Sequence, residues 1–362
     1  MRATSFPFAL ETVCIDTLDF DAVCVRLGLE VSRVRVITGQ TWSKEVALVL
    51  ASRVRGRRVE VLDDIDNTLA QHRSLAESNE GDASDVLVVG VGGGCVLDLA
   101  KYHACRLGAP YLAVPTIISN DGIASPIAIL RGDDDQMASH STTPPLATLI
   151  DRGVLERAPH AALVSGIGDV LSNRAAVLDW DLAIERGRAT PNALARIMSR
   201  SAVQNVLGAP PNLRDDIFFE RYIDAIVLSG LAMYISGDSR PCSGAEHLIA
   251  HAINRARPGR FAHGLLVGSI APFVVWLHDR GDRSLWSLVR TLGLQVDFMR
   301  LVGATHDFAS LMNAARRIRG DRFTVLDISS NEELEREYHR FVSAFSARQK
   351  RVGDASPHAA IS

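Results

Sequence analysis

Short β-branched runs alternate with helix-period stretches through the first half of the chain, and long helical patterns fill the second. Arg33-Val-Arg-Val-Ile-Thr38 predicts a strand ending at Gly39-Gln40-Thr41, and Lys44 to Val54 then carries helical periodicity. Val59 to Leu62 predicts a second strand and Asp66 to Asn79 a helix. Asp85 to Val91 is almost continuously apolar, the pattern of a parallel strand covered on both faces. It runs into Gly92-Gly93-Gly94, and a helix is expected from Val96 to Arg106. Tyr111 to Pro115 and Leu146 to Ile150 complete the strands, with Ser141 to Pro145 as a loop entering the last. This alternation predicts a doubly wound α/β sheet. From Pro159 onward the expected helices are Ala161–Arg188, Ala193–Leu207, Asp216–Ser236, Gly244–Arg255 and Gly264–Asp279. The expected organisation is an α/β domain at 1–158, an all-helical domain at 159–350 and a flexible tail at 351–362.

Composition narrows the picture slightly. A length of 362 residues accommodates two domains, and 47% hydrophobic content supports a sizeable core. The net charge of −3 offers no basic field for nucleic acid. Apolar stretches are interrupted before the roughly 18 residues of a membrane helix, so no membrane insertion is expected. Glu11, Asp16 and Asp19 near the start, without a basic cluster, argue against a signal peptide. Five cysteines, an odd number without CxxC spacing, fit a reduced, cytoplasmic protein.

Asp169, His247 and His263 are the first candidates for chemistry. His247 and His251 stand four apart on one predicted helix face, and His263 precedes Gly264 and an apolar run. Two imidazoles and a carboxylate leave a coordination position open on zinc or ferrous iron. For Asp169 alone, an Arg partner or exposure is the alternative; for His247 alone, it is a satisfied core histidine. The Gly92–Gly94 turn, with Asp98 and Lys101 along the following helix, would bring backbone N–H groups to a pyrophosphate. Its alternative is a tight turn that needs positive φ. The spacing is not GxGxxG. Thr116, Ser119, Asp121 and Ser125 sit in an irregular loop at a strand's carboxyl end, where α/β sheets bind ligands, or they form a plain polar turn. Asp63 and Asp64 end the second strand, where an acid would bind the ribose of NAD and repel the extra phosphate of NADP.

Taken together, Gly92-Gly-Gly94 with Asp98 and Lys101, Pro115-Thr116 with Ser119-Asn-Asp-Gly-Ile-Ala-Ser-Pro126, Ser165-Gly-Ile-Gly-Asp-Val-Leu-Ser-Asn173 with Asp179-Trp180, Ser239-Arg-Pro-Cys-Ser-Gly-Ala-Glu-His247 with His251, and His263-Gly264 form an ordered set. This set resembles the sn-glycerol-1-phosphate dehydrogenases. They belong to a superfamily with iron-containing alcohol dehydrogenases, glycerol dehydrogenases and 3-dehydroquinate synthases. The similarity runs from about Arg33 to Leu326. It implies an N-terminal nucleotide-binding domain and a helical metal- and substrate-binding domain. The implied metal ligands are Asp169, His247 and His263, with zinc favoured over iron or nickel. NAD or NADP would lie along Gly92, Gly93, Gly94, Asp98, Thr116, Ser119, Ser125 and Asp63. His251 and Asp121 become the catalytic candidates, and Asp121, Asn173 and Arg240 the substrate contacts, Arg240 on charge and placement. The implied reaction interconverts dihydroxyacetone phosphate and sn-glycerol 1-phosphate, or a close phosphorylated polyol, in a homo-oligomer. Three other readings share the scaffold: a dehydrogenase for another ketone or polyol, a cyclase or lyase with an internal NAD redox cycle, and a catalytically silent homologue that binds nucleotide or a partner protein. The chain departs from the family pattern at Asn120 (usually His), Ile127 (usually Arg), and Leu265 and Leu266 (usually Glu-Gln). These departures remove a basic group and polarity near the substrate.

Overall fold

A computed structural model describes residues 8–77, 82, 85–208, 211–279, 281–303 and 307–353. The strands in chain order are β1 (Ala9–Thr12), β2 (Arg33–Thr38), β3 (Arg58–Leu62), β4 (Val86–Gly92), β5 (Tyr111–Pro115), β6 (Ile127–Arg131), β7 (Met137–Ser141) and β8 (Ala147–Ile150). Helices α1 (Phe20–Arg26), α2 (Trp42–Arg53), α3 (Leu69–Glu77), α4 (Gly94–Leu107) and α5 (Arg152–Leu155) are interleaved with them. The remainder is helical: α6 (His160–Glu185), α7 (Ala193–Val206), α8 (Asp216–Ser236), α9 (Ala245–Ala256), α10 (His263–Asp279), α11 (Arg283–Thr291), α12 (Met299–Val302), α13 (Phe308–Ile318) and α14 (Asn331–Gly353).

Six strands form one parallel sheet in the order β1-β8-β5-β4-β2-β3. The apolar run of β4 is buried at every position because the sheet is covered on both faces. Its side chains alternate between two cores, as the two-residue period of a strand requires. Leu87, Val89 and Val91 join α1 and α2 residues such as Phe20 and Leu50. Val86 and Val88 join a second core that continues through α4 into α6, α8 and α10. The chain leaves β2 for β3 at the sheet edge and returns to β4 on the other side of β2. That reversal opens a crevice beyond the carboxyl ends of β2 and β4, where ligands of such sheets lie.

The expected doubly wound sheet is present, with additions. β1 extends it beside β8, and β6 and β7 form a separate antiparallel hairpin. β1 is short and only half-buried, and β7 is polar and mostly exposed, so neither carries a strong apolar pattern. Ser141, expected in a loop, closes β7. At the other end, α14 continues to Gly353, so residues 351–353 of the expected tail are helical and 354–362 lie outside the described residues. Among the described helices, α6 alone is long and apolar enough to cross a membrane. Yet 78% of its apolar window is buried inside the protein, the mark of a core helix.

Close packing of α6 on α10 sets up the site. A Cβ on Gly168 would collide with the carbonyl oxygen of Gly264, and one on Gly268 would lie 2.6 Å from Gly168 Cα. Only glycine at these positions lets the two backbones touch. The contact brings the first residue of α10, His263, beside Asp169 of α6.

Candidate active site

Asp169, His247 and His263 offer ligand atoms that all lie within 4.8 Å of one another. The Nε2 atoms of the two histidines are 3.1 Å apart. Asp169 Oδ1 stands 3.5 Å from His263 Nε2 and 4.0 Å from His247 Nε2. Asp169 is only 6% exposed, and no Lys or Arg pairs with it among the described residues. Exposure and an Arg partner, the two alternatives to ligation, are therefore both absent there. A buried carboxylate facing two imidazole nitrogens is costly by itself, and a divalent cation removes the cost. Burial pushes the Asp169 carboxyl up to about 7, and His247 and His263 are both held below the usual imidazole range, chiefly by burial. Neutral imidazoles are the form that ligates. The donor set fits a metal.

The elements around the trio fix its orientation. Glu246 Oε1 accepts from His247 Nδ1 at 2.8 Å, which presents Nε2 to the other ligands. The same oxygen accepts from Gly244 N–H at 2.7 Å. Burial, then the Asp179 charge, pushes the Glu246 carboxyl up to about 8. Asp179 ties down the start of α9: its Oδ2 accepts from Ala245 N–H at 2.7 Å, while Oδ1 meets Val325 N–H at 2.8 Å and His278 Nε2 at 2.9 Å. Both acids lie in the segments quoted above, but sequence spacing alone assigned neither a role.

A cavity surrounds the trio. Of the other sequence candidates, Asp98, Asp121, Ser125 and His251 line it. Asp121 donates its N–H to Asp169 Oδ2 at 3.1 Å and accepts from Ser229 Oγ at 2.9 Å. Burial, with the Asp169 charge second, pushes its carboxyl up to about 7. The His251 ring stacks 5.9 Å from that of His263 and lies 6.2 Å from that of His247. Burial and then His263 lower its imidazole to about 3. Asp98 accepts from Ile129 N–H at 3.1 Å and from Lys101 Nζ at 3.4 Å, so it faces the metal cavity as well as following the glycine turn.

Other candidates stand elsewhere. Asn173 is buried away from the cavity lining and donates to Ser229 Oγ at 3.0 Å, one step behind Asp121. Arg240 is also off the lining, held by Asp238 at 3.5 Å and by the Asp321 carbonyl at 3.3 Å. Arg319 lines the cavity instead. Thr116 and Ser119 occupy the loop after β5: Thr116 N–H donates to Gly92 O at 3.0 Å, and Ser119 O accepts from Ser165 Oγ at 3.0 Å. Asp63 follows β3 and pairs with Lys44, and Asp64 accepts from Gln40 Nε2 at 2.8 Å.

The Gly92–Gly94 turn does not use positive φ. Gly93 is extended, with φ −86° and ψ −177°, and forms the N-cap of α4 without a side-chain cap. What glycine provides is space. A Cβ on Gly92 would lie 2.8 Å from Val96, and one on Gly93 2.8 Å from Ile117. The N-terminal N–H groups of α4 consequently face the crevice without a capping side chain.

The departures from the family pattern divide, two at the cavity as expected and two away from it. Asn120 Oδ1 accepts from Gly122 N–H at 2.9 Å, and Ile127 O accepts from Lys101 Nζ at 2.7 Å; both residues line the cavity. Leu265 and Leu266 line a separate apolar hollow with Phe261 and Leu292, away from the trio.

A family model described as iron-containing alcohol dehydrogenase matches residues 18–159. The chain is 34% identical over 290 residues to a glycerol-1-phosphate dehydrogenase (NAD(P)+) of Methanosphaerula palustris, covering 77% of this chain and 80% of the relative. It is 33% identical to the enzyme of the same name from Methanoculleus marisnigri, covering 87% and 88%. Among solved structures, glycerol dehydrogenase from Schizosaccharomyces pombe matches with a TM-score of 0.75 at 18% identity, covering 96% of this chain and 92% of that one. Sulfoacetaldehyde reductase from Bifidobacterium kashiwanohense in complex with NAD+ matches with a TM-score of 0.72 at 16% identity, covering 94% and 98%. These structural matches establish the fold.

Proposed function

The chain belongs to the glycerol-1-phosphate dehydrogenase family, NAD(P)- and metal-dependent alcohol dehydrogenases, and we propose that it interconverts dihydroxyacetone phosphate and sn-glycerol 1-phosphate or a closely related phosphorylated polyol. The buried trio of Asp169, His247 and His263 carries this reading, because it opens into a cavity shared with Asp121 and His251. Two imidazoles and a carboxylate suit zinc or iron alike, and zinc is the favoured occupant, with iron or nickel as the others. NAD is favoured by Asp63 at the end of β3, and its partner Lys44 leaves room for NADP.

Residues 1–158 would hold the nucleotide, with Gly92, Gly93 and Gly94 against the pyrophosphate and Thr116 and Ser119 toward the nicotinamide. Residues 159–350 would supply the metal ligands. Bound NAD(P)H contributes the hydride, and a bound divalent cation contributes Lewis-acid pull on the carbonyl oxygen. The chain's own groups do the rest. Asp121 accepts from a substrate hydroxyl, held in place by Ser229 and by its own N–H bond to Asp169. His251 relays the proton that the new alcohol oxygen requires, since it lines the cavity beside both ligand histidines. Asn173 supports this arrangement through Ser229. A homo-oligomer in the cytoplasm fits the reading, supported by exposed Leu194 and Ile197 on α7 and by five free cysteines.

An Asp169→Ala variant tests the proposal. Metal content should fall from one equivalent to near zero and turnover should drop by about 1000-fold. Elemental analysis beside steady-state kinetics reads both, and a variant that keeps metal and full turnover overturns the assignment.

A further inference from the structure

One permanent cation lines the metal cavity among the described residues: Arg319, just after α13. Its Nη1 donates to Ser239 Oγ at 2.9 Å. Arg322 Nη2 donates to the same oxygen, also at 2.9 Å, and its Nη1 donates to the Ser243 carbonyl. Two guanidinium groups thus converge on one neutral hydroxyl. No carboxylate pairs with either among the described residues, although Arg322 is only 8% exposed. Ser239 Oγ already accepts twice, so its own O–H is left to donate, and among the described residues it finds no acceptor. Ser239 and Ser243 line the same cavity. The third arginine nearby, Arg240, has its charge matched by Asp238.

Two unmatched positive charges beside a hydroxyl donor form a receptor for a tetrahedral dianion. Like charges this close are costly without a counter-ion in contact: burial first, then Arg319 and Arg240, lowers the Arg322 guanidinium to about 10 against the weaker opposing pull of Asp238 and Glu246. Arginine meets phosphate oxygens with paired N–H donors, a fit that lysine lacks. The cluster also lies on the substrate side of the site. Arg319, Ser239 and Ser243 line the cavity together with His247 and His251, whereas the cofactor pyrophosphate would belong at the Gly92–Gly94 turn. Ile127 offers no cation, so this duty falls on the segment after α13.

We propose that Arg319 receives the phosphate of the substrate, with Arg322 behind it and the Ser239 hydroxyl donating between them, so that this cluster selects a phosphorylated ketone over its neutral analogue. The proposal rests on the dehydrogenase reading for its substrate but not for the anion site itself.

The test compares dihydroxyacetone phosphate with dihydroxyacetone as substrates of the metal-loaded, full-length protein and its Arg319→Ala and Arg319→Lys variants. The ratio of kcat/KM for the two ketones should fall about 100-fold in Arg319→Ala. Arg319→Lys should recover part of that ratio, because a point charge replaces the paired donors. A fold-wide disturbance would depress both substrates alike, and an unchanged ratio overturns the proposal. Calorimetric titration with inorganic phosphate adds a readout that needs no turnover. Wild type should bind phosphate and Arg319→Ala should bind it at least 30-fold more weakly. If wild type reduced neither ketone, the dehydrogenase reading would fail while this titration still decided the anion site; equal phosphate binding by wild type and variant overturns it.

Discussion

Asp169 concentrates the physical problem at the residue scale. Its carboxyl is buried in an apolar helix without a cationic partner, and around it stand the Asp121 carboxyl, which burial and then its charge raise, and two imidazoles that burial keeps neutral. The arrangement is stable once a cation joins it, and the residues behind the ligands should then tune affinity. Glu246 is the one to alter, because a single oxygen holds both His247 Nδ1 and Gly244 N–H. Truncation by Glu246→Ala should weaken metal binding by about 10–100-fold in chelator competition. Glu246→Gln keeps a carbonyl acceptor and should stay within a few-fold of wild type. Equal losses in both variants would mean that charge, rather than the hydrogen bond, is what matters.

Elements deliver these residues to one point, and the crossing of α6 with α10 does most of it. Gly168, Gly264 and Gly268 let the two helices touch backbone to backbone, which seats His263 against Asp169. Gly168→Ala would drive a methyl into a carbonyl oxygen that belongs to the main chain and cannot rotate away. The expected cost is about 1–3 kcal/mol of stability, with weakened metal binding as α10 is displaced. Gly320→Ala is the control, since a Cβ there meets nothing within 4 Å. Denaturant unfolding with metal titration checks the pair; a Gly168→Ala protein as stable and as metal-competent as the control would refute the crossing as the device that builds the site.

Across the whole molecule, legibility followed burial. Strands β4, β5 and β8 stand out because a parallel sheet covered on both faces leaves continuous apolar runs, β2 and the partly buried edge strand β3 through their β-branched residues, and the long helices because their periods are unbroken. β1 and β7 did not stand out: one is a half-buried edge strand and the other a mostly exposed hairpin arm. The Asp169, His247 and His263 trio was visible through its motifs, since residue identity is local even when the residues are distant. The anion cluster was not, because Arg319 meets Ser239 across 80 residues and only the fold brings them together. Arg240 looked suitable from charge and placement, but Asp238, two residues earlier, takes that charge up. Asn173 sits in the right motif, one layer too deep to reach the cavity.

Sheet, glycine turn, metal trio and arginine cluster converge on a single claim, that this chain transfers hydride between a nicotinamide and a phosphorylated three-carbon ketone. The direct measurement is NADH or NADPH oxidation by the metal-loaded protein with dihydroxyacetone phosphate, beside a chelator-treated sample, followed by chiral analysis of the product. One nicotinamide should be oxidised per ketone reduced, the activity should be lost on chelation, and the product should be sn-glycerol 1-phosphate. Turnover that survives metal removal, a product of the opposite hand, or tight binding of metal and NADH without net oxidation would contradict that claim.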